Sequence, residues 1–118
     1  MPGEERERGS VLPGMGVPDD ITDEIMGAVG RVWARGGLSP RERSLVTISA
    51  LAASGSREAL RVHLGGGLRH GLSESDLYEA LLQVGYYAGF GAEMDAFPLV
   101  QAAAAEHGRD DPPGDAPS

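Results

Sequence analysis

The sequence predicts an all-α protein, a compact bundle of about five helices that is an obligate homo-oligomer. Two observations lead there. Apolar residues recur at helical spacing in five stretches, and no stretch gives a convincing strand. Only about 90 residues can order, a size at which a lone core is marginal. The chain has no cysteine, so disulfides cannot help, and association is the remaining common remedy.

The first predicted helix starts at an acidic cap near Asp20 or Thr22. It carries Ile21, Ile25, Val29 and Val32 on one side and stops at Gly36-Gly37. In the second, Ser39 is the N-cap, Pro40 takes the first helical position, and Glu42 completes a capping box. From Leu45 to Ala53 this helix is apolar or small nearly all round, which predicts burial on most sides. The third is capped by Ser56 and ended by Gly71. The fourth is capped by Ser73 with Asp76 three residues on. Only Gly71-Leu72 separates the third from the fourth, which predicts an antiparallel hairpin. The fifth is expected from about Ala92 to His107, with Pro98 kinking it or marking its true start.

The helical domain is therefore expected over 20–107. Residues 1–19 are expected to form a disordered or extended arm, with "VLPGMGVP" at 11–18 packing against a neighbour. An acidic, disordered tail is expected over 108–118. The formal net charge of −8 argues against nucleic acid as a partner. No apolar run reaches membrane-spanning length, and the start lacks the apolar core of a signal peptide, so a cytoplasmic protein is expected.

His63 is the first candidate for chemistry. It lies beside the stripe Leu60, Leu64 and Leu68, one turn after Ala59 and one turn before Gly67. An imidazole there can move protons near neutral pH; the plainer reading is a histidine hydrogen-bonded in the core. Gly65, Gly66 and Gly67 clear side chains from most of a helical turn, so that another helix or a ligand can approach. Glu79, Gln83 and Tyr86 or Tyr87 form a polar line on the fourth helix. In a hairpin that line faces His63, as a site or as a network tying the helices together. Arg43 can hold a substrate carboxylate or pair with Glu58 or a neighbouring subunit. Trp33 is a core or interface residue or a substrate lid. His70 and His107, near helix ends, favour the helix dipole and receive no function. "GYYAGFG" at 85–91 follows a helix rather than a strand, so it is not a phosphate loop.

Together, "VWARGGLSPRERSLVTISALAASG" and "EALRVHLGGGLRHGLSESDLYEALLQVGYYAG" resemble the carboxymuconolactone decarboxylase family, over residues 32–105. The resemblance implies an alkylhydroperoxidase D-like helical fold, assembled as a trimer or hexamer with sites near subunit contacts. Its redox branch uses Cys-x-x-Cys-x-x-x-His. Ser56 and Ala59 stand at the two cysteine positions here, so a peroxidase is not expected.

The other branch does acid–base chemistry, and the resemblance implies no metal and no cofactor. It makes His63 the proton shuttle. The candidate catalytic residues are His63, Glu58 and Tyr87; the candidate substrate-binding residues are Trp33, Arg43, Gln83, Tyr86 and Gly67. Gly36 and Gly91 stand where the decarboxylases usually carry proline. Three readings follow from the resemblance. The first is a lyase acting on a small carboxylactone, carbonyl or phenolic molecule. The second is a dehydratase or cyclase tailoring aromatic polyketides. The third is an oligomeric protein that binds a ligand without turning it over.

Overall fold

A computed structural model describes residues 16–110; most of the expected N-terminal arm and the tail beyond 110 lie outside them. Five helices occur among the described residues, and no strand: α1 (Asp19–Trp33), α2 (Pro40–Ser54), α3 (Arg57–Arg69), α4 (Glu74–Ala88) and α5 (Phe90–Asp110). The chain divides into two units at Leu38: α1 belongs to the first, and α2 to α5 form the second.

α1 begins directly after Pro18, with no side-chain cap, and Asp19 and Asp20 sit in its first turn where the helix dipole favours acids. Its apolar residues Ile21, Ile25, Val29 and Val32 are all exposed, and none of its residues is buried.

In the second unit the capping signals are realised. The Ser39 hydroxyl accepts from the Glu42 backbone N–H at 3.0 Å, and the Ser39 N–H donates to Glu42 Oε1 at 2.8 Å. Ser73 and Asp76 repeat the exchange at 3.0 and 2.9 Å. Those bonds hold both carboxyls below their usual pKa, the backbone bond first; for Asp76 the Arg41 guanidinium, 3.1 Å away, adds to it. α2 ends at Gly55, whose φ of +74° is left-handed and suits glycine. Ser56 precedes α3 but makes no capping bond; its hydroxyl bonds Ser54 Oγ at 2.9 Å.

The expected hairpin of α3 and α4 does not form. α3 packs on α2 and α5, and α4 packs on the same two helices, so α3 and α4 hold opposite corners of a four-helix arrangement. The link between them crosses the end of the bundle, and its Leu72 is buried against the space at Gly67. Two consecutive helices with a short connection need not be neighbours when each finds a better apolar face elsewhere. Here Ile48 and Ala52 of α2, and Ala96, Val100 and Ala103 of α5, supply those faces to Leu60, Leu64, Leu77 and Leu81.

Two further expectations change. α2 buries only Ser44, Ile48 and Ala52, and Val46 on its other side is exposed, because in one chain the helix has a covered face and an open one. Pro98 lies inside α5 and does not mark its start, and the helix runs on to Asp110, past the expected end at His107. Pro98 and Met94, four residues before it, are both exposed, so water can reach the Met94 carbonyl that proline leaves without its helical donor.

Candidate active site

Leu60, Leu64, Gly67 and Leu68 form the buried stripe of α3. At 3.6 residues per turn His63 stands at the edge of that stripe, on the flank it shares with Gly67. That flank faces α2: a Cβ on Gly67 would lie 2.9 Å from Ile48 Cδ1 and 3.0 Å from Leu72 Cδ1. The glycine thus serves close packing of α2 and the crossing link. Gly65 and Gly66 differ, since a Cβ on either would meet only the flexible Arg69 guanidinium. His63 is half-buried, and desolvation lowers its pKa below the ordinary imidazole value. At neutral pH the ring is therefore uncharged, the form that accepts a proton.

Arg43 is half-buried on α2, beside the buried Ser44, and its carbonyl accepts from Thr47 Oγ1 at 2.8 Å. Glu58 is 88% exposed and pairs with Arg61 on its own helix, Nη2 to Oε2 3.3 Å, rather than with Arg43. Glu79, Gln83, Tyr86 and Tyr87 lie on the open side of α4, the tyrosines 74% and 85% exposed. With α3 and α4 at opposite corners, the polar line of α4 has no route to His63 within one chain. Tyr86 instead meets the Phe90 ring edge-on, centroids 5.1 Å apart. With Leu82, Phe90 and Met94 it extends an exposed apolar strip along the end of α4 and the start of α5. Trp33 closes α1, half-buried, in the first unit. Among the described residues no three His, Asp or Glu side chains gather as a metal would require.

Two polar features escaped the sequence reading. Ser44 Oγ lies 2.8 Å from His70 Nδ1, so His70 ties the link after α3 to the buried face of α2. Glu93 is 0% exposed and neither of its carboxylate oxygens has a hydrogen-bond partner among the described residues. It heads the stripe Glu93, Ala96, Val100, Ala103, whose three- and four-residue spacing is visible in the sequence once α5 is known to begin at Phe90.

Comparison with known proteins adds the lineage. The model of the carboxymuconolactone decarboxylase family matches residues 20–102. A 4-carboxymuconolactone decarboxylase of Acinetobacter baylyi is 39% identical over 74 residues, 63% of this chain and 55% of the relative. A nitrosuccinic acid decarboxylase of Metarhizium robertsii is 31% identical over 74 residues, 63% of this chain and 52% of that protein. The chain thus spans about half the length of the curated relatives it matches.

Proposed function

The chain belongs to the carboxymuconolactone decarboxylase family, and from that premise we propose that it is a cofactor-free lyase that removes CO2 from a small carboxylic acid. The observation that carries the reading is His63: one half-buried imidazole, kept neutral by desolvation, on the helix face that borders α2. Both similar proteins are named as decarboxylases of small acids, which supports a carboxylate substrate here.

Chemically, the substrate carboxylate leaves as CO2 and its bonding pair stays on the adjacent carbon. An electron sink in the substrate, a conjugated carbonyl or a nitro group, delocalises that pair. His63 takes one proton from solvent and delivers it to the carbon, so the product is the substrate with hydrogen in place of carboxylate. Arg43 is the proposed anchor for the substrate's charge, being a fixed cation on the half-buried side of α2. Glu58, Gln83, Tyr86, Tyr87 and Trp33 act in this reading at a contact between copies. The exposed strip of Leu82, Tyr86, Phe90 and Met94 supports self-association, because exposed apolar patches mark interaction surfaces.

The test is CO2 release from 4-carboxymuconolactone and from nitrosuccinate, followed for wild type, His63→Ala and His63→Gln. Turnover of either acid that falls about 100-fold or more in both variants is the expected result. Turnover kept in both variants removes His63 from the chemistry. Recovery of both acids unchanged from the wild-type protein removes them as substrates, and loss of water without CO2 replaces the decarboxylase reading by a dehydratase.

A further inference from the structure

A cleft of about 130 Å³ opens between the end of α2, the start of α3 and the second turn of α5. Leu51, Ala52, Leu60 and Ala96 make apolar walls, Gly55 adds bare backbone, and Arg57 and Asp95 bring one charge of each sign. Both charged residues are exposed, so they stand at the mouth, while Ala52, Leu60 and Ala96 are buried and form the floor. Neither the Arg57 nor the Asp95 side chain enters an ion pair or hydrogen bond among the described residues.

This cleft is separate from the His63 flank. Arg57 and His63 are six residues apart on α3, which places them about 120° apart around the helix and about 9 Å apart along it. Arg57 is in line with the buried stripe, one turn before Leu60, whereas His63 stands at the stripe's edge on the Gly67 flank and does not line the cleft.

We propose that the cleft is a second ligand site, for a free α-amino acid with an aliphatic side chain. The size fits the side chain: an apolar cavity of about 150 Å³ holds a benzene-sized guest. The rim fits the head group. The Arg57 guanidinium pairs with the carboxylate, Asp95 takes the ammonium, and the zwitterion brings no net charge to the mouth. A simple fatty acid leaves Asp95 facing an anion, and a simple amine leaves Arg57 facing a cation. The site therefore prefers the amino acid to either.

The experiment is an amide NMR titration of the full chain with L-leucine, and in parallel with 4-methylpentanoate and 3-methylbutylamine. Leucine is expected to shift the amides of Gly55, Leu60 and Ala96, to leave His63 in place, and to bind more tightly than the other two probes. Arg57→Gln and Asp95→Asn, both at exposed positions, are expected to keep the rest of the spectrum and to weaken leucine binding about tenfold or more. Leucine shifts absent from those three amides overturn the site. So do shifts that both variants leave unchanged, or equal binding of the amine or the acid. None of these outcomes depends on whether the protein releases CO2.

Discussion

Ser44 and His70 are hydrogen-bonded at 2.8 Å, and they stand in unlike surroundings: Ser44 is 3% exposed, whereas His70 is open to water. The two ends of the bond therefore respond differently to mutation. Removing His70 leaves a buried hydroxyl without this partner; removing the Ser44 hydroxyl leaves an imidazole that water can serve. His70→Ala is expected to cost about 1–3 kcal/mol, and Ser44→Ala about 0.5–1.5 kcal/mol. Urea unfolding of the two variants checks the order, and a larger loss in Ser44→Ala would reverse the assignment.

His63 sets the base limb of activity. Desolvation lowers its pKa, so the ring carries the proton that it must deliver to the carbon mainly below the ordinary imidazole value of about 6.5. kcat/KM is therefore expected to fall as pH rises through that lowered pKa. A profile of kcat/KM from acid to alkaline pH shows this directly; activity that is lost with acid instead would require another group as the proton donor.

Stability should decline with acid in two stages. The native His63 resists protonation, so the stability tied to its neutral form is present above about pH 6.5 and is lost as pH falls through its lower native pKa. Glu42 and Asp76 also have lowered values, from the capping bonds. Their contribution is present above the unfolded carboxylate range, near pH 4, and is lost below it. Thermal unfolding across this range tests the order, and Ser73→Ala should remove about 1 kcal/mol at neutral pH by deleting one cap.

Glu93 is a carboxyl shut away without a hydrogen-bond partner among the described residues, a placement that costs stability. Glu93→Met, similar in length and apolar, is expected to stabilise the fold by about 1–3 kcal/mol. Calorimetry reads this as a raised Tm; a lowered Tm would mean that the carboxyl has a partner in the assembled protein.

The three glycines of α3 should separate under mutation. Gly66→Ala meets only the Arg69 guanidinium and gains up to about 1 kcal/mol of helix propensity. Gly67→Leu must displace Ile48 and Leu72, and overpacking of this kind costs about 1–3 kcal/mol. Equal effects at the two positions would contradict the packing described for Gly67.

What the sequence disclosed followed the range of the interaction. The two capping boxes are exchanges between residues three apart, and both were legible from Ser39, Glu42, Ser73 and Asp76. The all-helical class was legible from apolar spacing. The pairing of α3 with α4 was misjudged, because a short link says where a helix begins and not which face it seeks. The α4 polar line lost its expected neighbour for the same reason. Pro98 does not mark the start of α5, one of its two expected roles, because its exposed side tolerates an unmet carbonyl within the helix. The Ser44–His70 bond spans 26 positions, and no local pattern announces a contact of that kind.

The diagonal placement of α3 and α4 also bears on how the chain finds its shape. A segment holding only those two helices has little mutual surface on which to condense, so it should stay largely unstructured in isolation. α2 and α5 both bridge them, and the core closes fully only when α5, the last of the described helices, arrives. Shortening the protein from its C-terminal side should therefore abolish cooperative folding altogether rather than leave a smaller stable remnant.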